Sequence, residues 1–395
     1  MWPTHPPGAT FFADDASALR VEVNTVLQRH EQRLPAIFVP LLEHLTQAER
    51  AAIDTNHSIS ATAEMWDANA AALRSLLLPV PLTVAAIAPP SDPSAGPSAE
   101  PGCDTPDENM LRDANSSYSD AETLIAHLAR DWSAHGAEPR RRTHRPVLRA
   151  LDAARRARRR PLRVYVPGAG AGRLAWEIAR RGDRVEANDV SAVMLVAAHA
   201  IVGGTPRARV RVYPRAGCAG SLSPRSACSR AALVPDVENA ASAVRAGRLT
   251  LHLGSWCDGG SSEHPHAARA NASFDAVVTS YFLDALPNAA AAVRTVARLL
   301  RPGGIWVNVG PLHWHHSNAG MLRLSWEELL VLLRTRGFER VDTRRLGPVP
   351  YLVSMSEGGM LRRLGTRLAA GRLRAAVTAG EEVHDVALWV ARAPT

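Results

Sequence analysis

The chain has 395 residues, 46% of them hydrophobic and 21% charged, with a formal net charge of +8. That composition excludes a collagen-like, largely disordered or membrane-spanning protein, and the length suits one large domain or two modest ones. The positive charge is all arginine, with no lysine; beside 27 glycines and 28 prolines, this points as much to a GC-biased coding background as to a polyanion surface.

Met1 to Arg20 lacks an apolar signal core. The longest apolar stretch, about Leu76 to Ala88, is too short and too proline-rich to cross a bilayer. Cys103, Cys218, Cys228 and Cys257 form no C-x-x-C pair, so a reducing compartment is expected, the cytoplasm with the nucleus as a second location.

Residues 16–85 show helical periodicity: Leu34, Phe38, Leu41, Leu42 and Leu45 recur at three- and four-residue spacing, as do Ala71, Leu73 and Leu77. Residues 86–108 are dominated by Pro, Ser, Gly and acidic residues that bury no apolar surface, and read as a linker. Residues 109–160 read as a second helical region, with Leu124, Leu128 and Trp132 on one face and an arginine-rich stretch after Arg140. No aromatic residues interleave with Arg140–Arg142 or Arg155–Arg160, so these runs read as a solvated helix face and nucleic acid is not expected as a partner.

From residue 161 to 395 short β-branched runs alternate with helices. Strands are expected at Arg163–Val166, Arg184–Ala187, Leu249–Leu253, Phe274–Ser280 and Gly304–Val309, and helices at Arg173–Arg181, Ser191–Val202, Ala289–Leu300 and Trp326–Arg336. This alternation predicts an α/β fold, an open and mostly parallel Rossmann-like sheet with helices on both faces. Ser325 and Glu328 form a capping-box signature at the start of the last helix, and Gly337 closes it. Segments near 203–230 and 358–380 interrupt the pattern and read as insertions or surface loops.

The strongest local signal is the strand–turn–helix run through Gly168, Gly170, Gly172 and Arg173. Glycines let the backbone turn sharply beside a ligand, and the helix start offers free N–H groups. Asp189, 21 residues after Gly168, closes the second strand, where a carboxylate can accept both hydroxyls of a ribose. A dinucleotide fingerprint needs a third glycine at position 173, which is arginine. The G-x-G-x-G form instead suits S-adenosylmethionine, a cofactor without a pyrophosphate. The strand Phe274–Ser280, the following helix, Pro302-Gly303-Gly304 and a further strand support the same reading.

Several stretches resemble the carnosine N-methyltransferase family: VPGAGAGRLAWEIA (166–179), NDVSAVML (188–195), PDV (235–237), SYFLDALPN (280–288) and RPGGIWVNVGPLHWH (301–315), with ARDWS (129–133) before the catalytic domain and LPAIFVPLLEHL (34–45) in the N-terminal region. The resemblance implies a class I methyltransferase that moves a methyl group from S-adenosylmethionine to an imidazole nitrogen of a histidine dipeptide, turning carnosine into anserine. It further implies Arg130 as a cofactor contact from the N-terminal side, joined by the glycine loop, Asp189 and Ser280. Ser255 and Trp256 fall where the family has an acidic residue and a phenylalanine against the adenine, so Ser255 is a departure without charge. Asp284 and His315 correspond to the substrate-binding and catalytic acid and histidine; Trp314 is placed to wall the substrate site. The family's C-terminal tyrosines fall near His384, where none of Glu382, Val383 and His384 is tyrosine. A small dipeptide is the expected partner, a homodimer is compatible with the sequence, and neither a metal nor a membrane is expected. Other readings stay open: a protein histidine or RNA as acceptor, a cofactor-binding protein whose catalysis has decayed, and, weakest, an NAD-dependent oxidoreductase.

Overall fold

The computed structural model describes residues 10–12, 16–43, 46–49, 58–80, 121–204, 209–216, 229–245, 247–254, 272–286, 288–314, 322–351 and 383–394. The expected linker at 86–108 and insertion at 358–380 lie outside these residues, as does most of the 203–230 segment.

In chain order the elements are β1 (Thr10–Phe12), α1 (Ala16–Glu43), α2 (Ser58–Leu77), α3 (Ala121–Trp132), α4 (Ala137–Arg158), β2 (Arg163–Pro167), α5 (Arg173–Ala179), β3 (Arg184–Asp189), α6 (Ala192–Val202), β4 (Val210–Val212), β5 (Ala232–Val234), β6 (Leu249–Leu253), β7 (Phe274–Ser280), α7 (Ala289–Leu299), β8 (Leu300–Gly310), α8 (Trp326–Thr335), β9 (Glu339–Pro350) and β10 (Val383–Arg392). The main sheet runs β1-β6-β3-β2-β7-β8-β10-β9. β1, β6, β3, β2, β7 and β8 pair in parallel, whereas β10 is antiparallel to both β8 and β9. Beyond β1, this is the class I methyltransferase order, with the strand order reversing on either side of β2. In doubly wound sheets ligands bind at that switch point, beyond the carboxyl ends of the strands.

Both faces of the sheet are covered, and strand alternation sorts the side chains between them. Val164 and Val166 of β2 and Val307 and Val309 of β8 join the core under α1–α6. Tyr165 and Trp306, one residue out of phase, join the opposite core under α7 and α8. Trp176 and Trp306 are core residues. Leu73, Leu77, Leu124, Leu128 and Trp132 are all fully buried, so the N-terminal helices pack onto the sheet domain.

Part of the 203–230 segment departs from a surface loop. β4 pairs antiparallel with β5. Asn69 of α2 then mimics a neighbouring strand, taking the Tyr213 N–H at 2.6 Å and donating to the Tyr213 carbonyl at 3.0 Å. Among the described residues, no helix is long and apolar enough to cross a membrane.

The arginine runs form the expected solvated face only in part: Arg141, Arg156, Arg159 and Arg160 are exposed, but several arginines also hold the fold together. Arg142 donates to the Leu346 and Pro348 carbonyls of β9, Arg155 pairs with buried Asp183, and Arg160 grips buried Asp275 with two 2.7 Å bonds. The charge makes α4 a staple across the edge of the sheet. Arginine suits this task because its planar fork meets a carboxylate with two donors at once.

Candidate active site

β2 ends at the switch point and opens into the glycine loop. A Cβ on Gly168, whose φ is +60°, would lie 2.1 Å from the Phe282 ring, so only glycine fits there. Gly172, at φ +80°, faces Ala198 of α6 across a gap that would bring a Cβ to 2.9 Å, and so sets how closely α5 packs on α6. The loop is tied on both sides. Ala169 N–H donates to the Asn188 carbonyl at 2.9 Å, and the Trp132 indole donates to the Ala171 carbonyl at 2.7 Å. Asp189 faces the loop from the end of β3, taking the Gly170 N–H at 2.7 Å and the Ser191 N–H at 2.9 Å. It keeps some exposure as a residue, but its carboxylate is enclosed. Burial therefore raises its pKa above the ordinary value despite those N–H groups.

α3 lays its buried face over the same mouth. The Arg130 guanidinium carbon sits 3.9 Å from the centre of the Tyr281 ring and 4.5 Å from that of Tyr351, a cation held between two aromatic faces. His127, one helical turn earlier, points at the loop; a Cβ on Gly170 would lie 3.3 Å from its Nδ1. Burial, with Arg130 beside it, pushes the His127 pKa down to about 4, so the ring is neutral at pH 7. Tyr281 holds φ +52° immediately after β7, fixed by its N–H bond to the Val309 carbonyl at 2.8 Å. A left-handed tyrosine is strained, and such strain gathers where side chains must be aimed. Ser280, the last residue of β7, is half-buried beside it.

Asp284 is 1% exposed, in a short 3-10 turn at Leu283–Ala285, and accepts the His313 N–H at 3.0 Å. Exposed His313 turns its Nε2 to within 3.4 Å of Nδ1 of buried His384 on β10. Edge-to-face contacts surround His384: Tyr281 at 5.7 Å, Tyr351 at 5.9 Å and His313 at 4.9 Å between ring centres. Phe282, two residues before Asp284, packs against Gly168, so the acid and the glycine loop share one end of the sheet. Trp314 donates to the Leu324 carbonyl at 3.2 Å, which anchors it beside this cluster.

A model of the family described as carnosine N-methyltransferase matches residues 108–358, more than half of the chain. The chain belongs to the carnosine N-methyltransferase family. Relatives with that name include one from Schizosaccharomyces pombe, 27% identical over 267 residues, covering 62% of this chain and 70% of that protein. Another is from Mus musculus, 27% identical over 225 residues, covering 55% of this chain and 54% of that protein. The chain thus spans only about half the length of the mouse relative. A solved structure of phosphoethanolamine N-methyltransferase 2 from Haemonchus contortus is 14% identical, covers 60% of this chain and 49% of that chain, and gives a TM-score of 0.35.

S-adenosylmethionine is the cofactor of the carnosine N-methyltransferase family, and the residues present fit it. The mouth offers what its parts need: a loop too tight for any Cβ at Gly168, a ring-walled cation for an amino-acid carboxylate, and a carboxylate at the end of β3 for ribose hydroxyls. Arg173 departs from the expected cofactor contact. Its guanidinium bonds Glu177 at 2.9 Å and Asp236 at 2.6 Å, and lies over Trp132 and Trp176. That cation holds helices together instead of facing the loop. Ser255, Trp256 and His315 lie outside the described residues, and the loop histidine that the structure brings into the cluster is His313.

Three participants carry no role that the family's motifs imply. His127 had a local signal, sharing a helical face with Arg130 three residues on. Tyr281 directly follows Ser280. Tyr351 had none, because it reaches Arg130 only through the antiparallel strands at the sheet's edge. Tyr281 and Tyr351 also change the meaning of the missing C-terminal tyrosines: His384 stands among tyrosines drawn from elsewhere in the chain.

Proposed function

We propose that this chain transfers a methyl group from S-adenosylmethionine to an imidazole nitrogen of a small histidine-containing dipeptide, converting carnosine to anserine. The observation that carries this reading is a buried acid, Asp284, set beyond the carboxyl end of β7 in a cluster of histidines and tyrosines. Bound in the mouth, the cofactor supplies an electrophilic methyl group on a sulfonium.

Neutral imidazole is already a fair nucleophile, so orientation and choice of tautomer are the main tasks. Positioning of this kind is worth of order 7–11 kcal/mol in favourable systems. Asp284 accepts the N–H of one ring nitrogen, leaving the lone pair of the other toward the methyl group, and stabilises the cation as it forms. The rings of His384, Tyr281 and Tyr351 flank the acceptor, Trp314 walls the site, and His315 bonds the substrate. Arg130 would hold the carboxylate of the cofactor's amino-acid end, and neutral His127 would add a hydrogen-bonding edge without a second charge beside it.

The test is direct. Incubating the protein with methyl-labelled S-adenosylmethionine and carnosine should yield a labelled dipeptide with the methyl on the imidazole, located by fragment mass spectrometry. Label that appears on no histidine dipeptide overturns the acceptor assignment.

A further inference from the structure

The last turn of a helix leaves carbonyls that its own backbone does not satisfy. At the end of α3 four consecutive carbonyls find donors elsewhere in the chain. Arg140 bonds the Arg130 carbonyl with a short contact and the Ser133 carbonyl at 2.9 Å. Arg173 reaches the Asp131 carbonyl at 3.3 Å, and the Asp236 N–H meets the Trp132 carbonyl at 2.6 Å. One carboxylate organises all of this: Asp236 pairs Oδ2 with Arg140 and Oδ1 with Arg173 at 2.6 Å. Arg140 and Arg173 are both nearly buried, so neither fork is free to find a substitute in water.

The same turn carries Arg130, whose guanidinium faces the cofactor mouth. α4 also reaches the other side of that cation, because Arg142 fixes the Leu346 and Pro348 carbonyls of the strand that leads to Tyr351. The proline–aspartate–valine run at 235–237, noticed in the sequence without a task, supplies the central acid.

We propose that Asp236 is a positioning residue of the cofactor site, setting Arg130 through Arg140, Arg173 and the last carbonyls of α3. The inference rests on the reading that S-adenosylmethionine lies against Arg130. Asp236 itself touches no reacting group. Losing its charge takes away the carboxylate that Arg140 bonds and leaves Arg173 with that of Glu177, and the end of α3 shifts; charge-assisted bonds are worth enough for a response of about tenfold in affinity.

The test is calorimetric binding of S-adenosylhomocysteine to the full chain, unsubstituted and as Asp236→Asn, Arg130→Ala and the double variant. Asp236→Asn should weaken binding about tenfold while leaving the KM for the acceptor within about twofold, and Asp236→Glu should recover part of the loss. Added to Arg130→Ala, it should cost nothing further, because its effect runs through that residue. Arg140→Lys, which keeps the charge but loses the fork, should reproduce the Asp236→Asn affinity if the aspartate variant does not fold. Asp152→Asn, which disturbs half-buried pairs with Arg155 and Arg181 rather than with the Asp236 cluster, should leave binding unchanged. Losses that multiply in the double variant, or an Asp236→Asn protein with unchanged affinity, overturn the proposal. An unsubstituted chain that fails to bind the probe instead removes the cofactor reading itself, and the proposal with it.

Discussion

At the amino ends of the strands Asp183 and Asp275 are buried among arginines, whereas at the carboxyl ends Asp189 and Asp284 meet backbone N–H groups. Asp275 takes two bonds from Arg160, one from the Arg163 N–H and a longer one from Arg301. Asp183 is held by Arg155 and by the Leu162 N–H at 2.9 Å. At the other end Asp189 receives Gly170 and Ser191, and Asp284 receives His313. A guanidinium that saturates a carboxylate fixes structure but occupies the acceptor sites that a ligand would need. Backbone N–H groups take one site each, and an ionised carboxylate accepts about four bonds. At these two ends of the strands, the carboxylates bound by guanidinium groups lie at the end opposite the chemistry.

The contrast breaks most sharply at its two extremes. Asp284→Ala should lower methyl transfer by about 10²–10⁴-fold, measured as kcat with carnosine, while affinity for S-adenosylhomocysteine stays within about threefold. Full activity in that variant would remove Asp284 from catalysis. Asp275→Ala should do the reverse, lowering unfolding stability by about 2–4 kcal/mol in urea titration, because it strips a buried hub from several donors. Its KM values should hold; if they rise instead, the amino end is not the separate structural layer described.

The smallest expected effect concerns pH, where the two ends should respond with opposite sign. At Asp275 burial opposes the charge, but Arg160, the Arg163 N–H and Arg301 outweigh it and hold the pKa below its ordinary 3.8. Its contribution to stability is complete above that value and is lost as pH falls through the lower folded value. At Asp189 burial dominates and raises the pKa above 3.8. Its contribution is complete below 3.8 and is lost as pH rises through the raised folded value. Urea midpoints from pH 3 to 7 should therefore fall less steeply toward acid for Asp275→Asn, and should rise more steeply with pH for Asp189→Asn. Equal slopes in both variants would erase the distinction.

How much of this was legible in the sequence follows the range of the forces involved. β6 and β7 have the expected bounds, β2 and β3 run slightly longer, and the Ser325–Glu328 capping box is present, because each depends on neighbours a few residues away. β9 and β10 were not read. Residues 339–350 contain two prolines, and five charged residues within their first seven positions that do not alternate cleanly, and only an edge position tolerates such a strand. The glycine loop and Asp189 announced themselves by spacing. The faces around Arg130 did not, since Tyr281 and Tyr351 meet only when the sheet is complete. The arginines of α4 misled for the same reason: a run of charge looks alike whether water or a distant aspartate receives it.

The indole of Trp132 donates to the Ala171 carbonyl, so a helix that precedes β2 in sequence holds the loop at the sheet's centre. The boundary visible in the chain near residue 161 is therefore not a boundary in ligand response. Occupancy of the mouth and docking of α3 form a single linked equilibrium, and by reciprocity each must favour the other by the same free energy. A saturating ligand should make the N-terminal helices and the sheet melt as one unit, and a fragment without those helices would lose affinity even with every glycine and Asp189 in place.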